Sequence, residues 1–68
     1  MTVVVVNSYT TQAKVYFVNS LTEGKQKIEE AYCNYIKNCR TSYITDDSTY
    51  AMIETQAGTI EIMLGEVM

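Results

Sequence analysis

The sequence predicts an α+β domain: one antiparallel sheet of four or five strands with a single amphipathic helix packed on one face, in the order β-β-α-(β)-β-β. Three features predict it. A β-branched run opens the chain and a second strand-like run follows after a short polar link. One capped stretch with helical periodicity occupies the middle, and two alternating apolar segments lie near the end.

Thr2 to Ser8 is rich in valine and too short for a good helix, so it reads as a strand. Val3 and Val5 point one way and Val4 and Val6 the other, the pattern of a central strand covered on both faces. Tyr9 to Gln12 forms a polar connection, and Ala13 to Asn19 reads as the second strand. So short a link makes the pair antiparallel, because a parallel pair needs a crossover of about a dozen residues or more.

Ser20-Leu21-Thr22-Glu23 fits a capping box, in which the serine hydroxyl accepts from the third helical N–H. Leu21, Ile28, Tyr32, Tyr35, Ile36 and Cys39 then recur on one stripe, predicting a helix to about Arg40. Glu23, Lys27, Glu30, Asn34 and Lys37 take the opposite side. Asp46-Asp47-Ser48 signals a turn, preceded by a short strand over Ser42 to Thr45. Thr49 to Thr55 and Thr59 to Leu64 are strands joined by Gln56-Ala57-Gly58. A two- or four-residue loop sets Glu54 opposite Glu61 and Met52 opposite Met63, and gathers Ala51, Ile53, Ile60, Ile62 and Leu64 on one core side.

At 68 residues the chain is expected to form one domain spanning 1–68. A domain of that size hides only about 60% of the surface its unfolded chain exposes, which makes a partner worth seeking. Val3 to Val6 is the longest uninterrupted apolar run, far short of the ~20 residues of a membrane helix, and the start does not resemble a signal peptide. Two cysteines are too few for an extracellular disulfide scaffold of this length, so a cytoplasmic protein with no membrane association is expected. The net charge of −3 has the wrong sign for tracking phosphates, which makes nucleic acid an unlikely partner.

Catalysis finds no support. Histidine is absent, removing the commonest general base and metal ligand, and no nucleophile elbow, zinc-protease helix or phosphate loop is present. No cofactor and no metal is expected. Cys33 and Cys39 differ by about 120° around a helix and about 9 Å along it, so they cannot pair with each other. Their spacing also fits no zinc motif. Cys39 falls on the apolar stripe as a small buried hydrophobe, and Cys33 falls off it.

The candidate site is a contact surface for a protein target, on the second sheet face or at an edge strand. Six tyrosines and four methionines, with no tryptophan, favour surfaces that combine apolar area with adaptable or wet rims. One helix covers one sheet face. The second face is expected to present Val4, Val6, Tyr16, Val18, Tyr50, Met52 and Met63, too apolar to leave in water. Tyr16, Tyr50, Met52 and Met63, with Glu54 and Glu61 as a carboxylate pair for a partner's cation, are the expected protein-binding residues. Size and lack of machinery suit a compact acidic inhibitor of the kind carried by phages or other mobile elements. A structural subunit that dimerises through the second face is the alternative, and a small-molecule or metal-binding module a more distant one.

Overall fold

The computed structural model describes residues 1–8 and 13–67. Its elements are β1 (Thr2–Asn7), β2 (Lys14–Phe17), α1 (Leu21–Tyr35) continued by a 3-10 turn (Ile36–Asn38), β3 (Thr41–Ile44), β4 (Tyr50–Glu54) and β5 (Thr59–Glu66). The strands form one antiparallel sheet in the order β2-β1-β5-β4-β3, with α1 on one face. This is the α+β architecture expected, with the short strand before the aspartate turn confirmed. The connection expected over Tyr9 to Gln12 lies outside the described residues.

The first and last strands meet at the centre of the sheet, pairing from Thr2 with Glu66 to Asn7 with Glu61. The Met1 amine donates to the Val67 carbonyl at 2.9 Å and lies 3.5 Å from Glu66 Oε2, tying the two ends together. Cross-strand partners share a face, so Val4 and Val6 stand beside Leu64 and Ile62, and Ile62 beside Ala51. With Ile53, Ile60, Val18 and Ile28 they form the core under the helix. The β4 and β5 residues expected on the core side are found there.

The strands at the start of the chain take the opposite facing from the one expected. Val4, Val6, Tyr16 and Val18 turn toward α1, leaving Val3, Val5, Val15 and Phe17 on the second face. The cause is the pairing of β1 with β5: once Ile62 and Leu64 face the helix, the antiparallel register carries Val6 and Val4 with them. Consequently β1 is central in the sheet, but the helix covers only one of its faces.

The helix begins as expected, with Ser20 Oγ accepting from Glu23 N at 3.1 Å. It ends earlier. The chain tightens into a 3-10 turn after Tyr35, because Arg40 N must already bond Glu54 O at 2.8 Å to start β3. Ile28 is fully buried, with Tyr32, Tyr35, Ile36 and Cys39 packed around the core, whereas Leu21 is 55% exposed. The sheet meets the helix one turn further in, at Gly24. A Cβ there would lie 2.7 Å from Leu64 Cδ2 and 3.4 Å from Val18 Cγ2, so the missing side chain is what lets backbone and sheet approach.

The β3–β4 and β4–β5 hairpins are each organised by threonine hydroxyls. In the β4–β5 turn Thr55 and Gly58 exchange backbone bonds, and Thr55 Oγ1 accepts from Ala57 N and Gly58 N. This fixes Gln56-Ala57 as the loop and shifts the ladder two residues from the expected one, keeping the faces but pairing Glu54 with Thr59 and Glu61 with Met52. In the β3–β4 turn Asp47 Oδ1 accepts from Thr45 Oγ1, Thr49 Oγ1 and Thr49 N. These bonds, led by the Thr49 hydroxyl, hold the Asp47 carboxyl below its ordinary value. Ser48 takes a left-handed φ of 58°, the conformation that closes this turn.

Replacing Ile28 with alanine should cost about 2–5 kcal/mol in urea unfolding, as for a fully buried aliphatic side chain. Leu21→Ala should stay within about 0.5 kcal/mol, as for a surface site. An equal loss at the two positions would contradict the helix placement. Because the Asp47 carboxyl is depressed in the folded state, its contribution is present above the ordinary carboxylate value and is lost as pH falls through the folded one. Asp47→Asn should therefore lower stability at neutral pH and flatten part of the acid limb of a stability-against-pH series.

Candidate functional site

The sheet face away from α1 is built in four cross-strand rows, each set by the ladder register. Phe17, Val3 and Gly65 form the first, and Val15, Val5, Met63 and Tyr50 the second. Asn7, Glu61, Met52 and Tyr43 form the third, and Thr59, Glu54 and Thr41 the last. The face thus grades from an apolar corner at β1 and β2 to a polar, acidic edge at the β4–β5 turn. The strand positions on this face hold two carboxylates, Glu54 and Glu61, and no Lys or Arg.

The apolar corner is open: Phe17 is 64% and Val15 47% exposed. Between them Val3 is buried without a helix above it, since Val3 and Val5 lean over Gly65, where a Cβ would stand 3.4 Å from Val3 Cγ2. Tyr43 is also 47% exposed and its ring centroid lies 6.0 Å from that of Tyr50 at 40°. Tyr50 reaches diagonally across the ladder, its hydroxyl donating to Glu61 Oε2 at 2.5 Å. That bond, with desolvation and the negative charge of Glu61 behind it, pushes the Tyr50 hydroxyl up to about 12.

Five of the six expected binding residues, Tyr50, Met52, Met63, Glu54 and Glu61, share this face. Tyr16 does not. It lies on the helix side, its ring 4.7 Å from Lys27 Nζ, between two hollows of 440 and 270 Å³ that separate β2 from α1. The two glutamates are also not opposite each other. They are diagonal neighbours, and Glu61 is held by Tyr50, so the like-charge repulsion expected of a direct pair is replaced by a hydroxyl–carboxylate bond.

Val15, Phe17 and Val5 also lie on this face and escaped the sequence reading. Lys14-Val15-Tyr16-Phe17 has apolar or aromatic residues at both parities, so alternation alone could not orient it. Cys33 is an exposed free thiol, and Cys39, also free, is half-buried against the core. Among the described residues no three Cys, Asp or Glu side chains gather into a metal-ligand cluster, and no helix is long and apolar enough to cross a membrane. No family model, curated protein or solved structure matches the chain significantly.

Glu61→Gln should return Tyr50 toward the ordinary tyrosine value of about 10 in a spectrophotometric tyrosinate titration. The raised hydroxyl contributes stability that is fully present below that ordinary value and lost as pH climbs toward about 12. An unaltered Tyr50 titration in the variant would show that the contact does not form in solution.

Proposed function

We propose that this protein is a non-enzymatic binding module whose open sheet face engages a protein target with an apolar patch rimmed by basic groups. The observation that carries the reading is the uncovered face itself, with Phe17, Val15 and Tyr43 exposed beside Met52 and Met63. Contiguous apolar surface of this kind marks interaction sites in soluble domains. The molecule measures 34 × 25 × 14 Å with the sheet in its broad dimensions. That outline is comparable with the ~800 Å² each partner buries in a standard complex.

Charge selects among occupants. Glu54 and Glu61 sit at one end of the face with no cation in its strands, so a partner bringing Lys or Arg there gains an attraction that a second copy placed face to face cannot supply. Occluding a basic surface is the action of an inhibitor, and a small acidic inhibitor, of the sort phages and other mobile elements carry, is the form of this function we favour. A cytoplasmic setting fits the two free thiols.

The test compares retention of host proteins on the immobilised wild-type chain and on face variants. Phe17→Glu and Met52→Glu should each abolish retention of the same protein, whereas Lys37→Glu in the 3-10 turn after α1 should leave it. Glu54→Gln should weaken that retention at low salt and less at high salt, since exposed charges are screened within about 8 Å at physiological ionic strength. A protein retained equally by all variants would count against the face.

A further inference from the structure

Beyond the open face, the sheet has an edge at β2 that shows few of the devices by which such edges are blunted. Its side chains are all exposed, it contains no proline and carries one charge, Lys14. The direction of its free hydrogen-bonding groups follows from the ladder. Val18 N bonds Thr2 O at 3.1 Å, and in an antiparallel pair bonded and non-bonded positions alternate. Tyr16 and Lys14 therefore direct their backbone groups toward Val4 and Val6 on β1. Val15 and Phe17 present theirs outward.

We propose that two copies of the chain pair antiparallel through β2, each seating its Lys14 in the groove that Glu23 and Glu30 flank on the other. Bonding between outward positions requires Val15 and Phe17 of one copy to meet outward positions of the other. The register with Val15 opposite the second copy's Phe17 forms two aromatic–β-branched pairs, a favourable cross-strand combination. Shifting the strands by two positions would set Phe17 against Ala13 in one direction and Val15 against Asn19 in the other. In the favoured register Tyr16 meets its own copy across the two-fold axis, and Lys14 stands opposite Val18 on the helix side.

Charge complementarity decides the occupant. Val18 lines the 440 Å³ hollow between β2 and α1, together with Glu23, Gln26, Lys27 and Glu30. Two carboxylates and one ammonium, the latter already over the Tyr16 ring, leave that hollow with an unmatched negative charge for an incoming lysine. The contact is reciprocal, as a two-fold interface demands. The helix leaves room for it, because α1 packs over β1, β5 and β4 rather than over the β2 edge. Since paired strands share their facing, both open faces end on the same side and join around Val15 and Phe17. The dimer therefore does not depend on what the open face binds.

Sedimentation of the full chain across a concentration series should approach twice the 7.7 kDa chain mass. Val15→Pro removes an outward N–H while sparing the β1 ladder, so it should give a monomer with an unchanged circular dichroism spectrum. Should that variant fail to fold, Lys14→Glu provides an independent reading, weakening the dimer tenfold or more. Mixing it with the Glu23→Lys, Glu30→Lys double variant should restore a mixed dimer in which both charge contacts are reversed or retained as pairs. Met52→Glu, on β4, should leave the wild-type dimer intact. A wild-type monomer at every concentration, a dimer that survives Lys14→Glu, a failure of the mixture to recover, or loss of the dimer in Met52→Glu would each overturn the proposal.

Discussion

A single helix can dry only one face of a sheet, and in this chain the face is chosen by the pairing of the first strand with the last. Ile60, Ile62 and Leu64 alternate with Thr59, Glu61, Met63 and Gly65, so only one side of β5 is apolar at every position from 60 to 64. β1, with four consecutive valines, has none. Laid antiparallel against β5, β1 inherits its facing, and β2 inherits it in turn. The core under α1, the exposed Phe17 and Val15, and the isolation of Tyr16 beside Lys27 all follow from this one register.

Legibility in the sequence tracks how unequal the two sides of each element are. The Ser20 cap, Ile28 and the alternation of β4 and β5 each place polar against apolar groups, and the structure agrees with them. Val3 to Val6 and Lys14 to Phe17 carry no such asymmetry, so their facing depends on a partner strand some sixty positions away in the chain. The β4–β5 register slipped by two for a local reason: the Thr55 hydroxyl stabilises Gln56-Ala57 as the loop, whereas glycine chemistry alone points to Ala57-Gly58. A slip of two preserves facing, which is why the core survived it while the glutamate pairing did not.

Leu21 and Gly24 show the same logic in the helix. Hydropathy assigns Leu21 to the buried stripe and treats Gly24 as a weak helix former. Close approach reverses their importance, because Leu64 fills the space a side chain at Gly24 would take. The first turn thereby contributes backbone proximity rather than apolar volume, and Leu21 remains largely in solvent.

The two carboxylates of the open face then have different standing. Glu61 is half-buried and holds the Tyr50 hydroxyl, which in turn stands beside the Tyr43 ring, so its charge is committed to fixing two tyrosines within the face. Neutralising it would release those rings as well as remove a charge. Glu54 is exposed and pairs only with Thr59 and Thr41 along the ladder. Its charge is available to a partner without rearrangement, and side chains already held in place lose less freedom on binding. The tyrosines anchored by Glu61 and the free carboxylate of Glu54 thus divide two tasks that the sequence presents as one pair: the first preorganises apolar contact area, and the second supplies the electrostatic attraction that selects a basic surface.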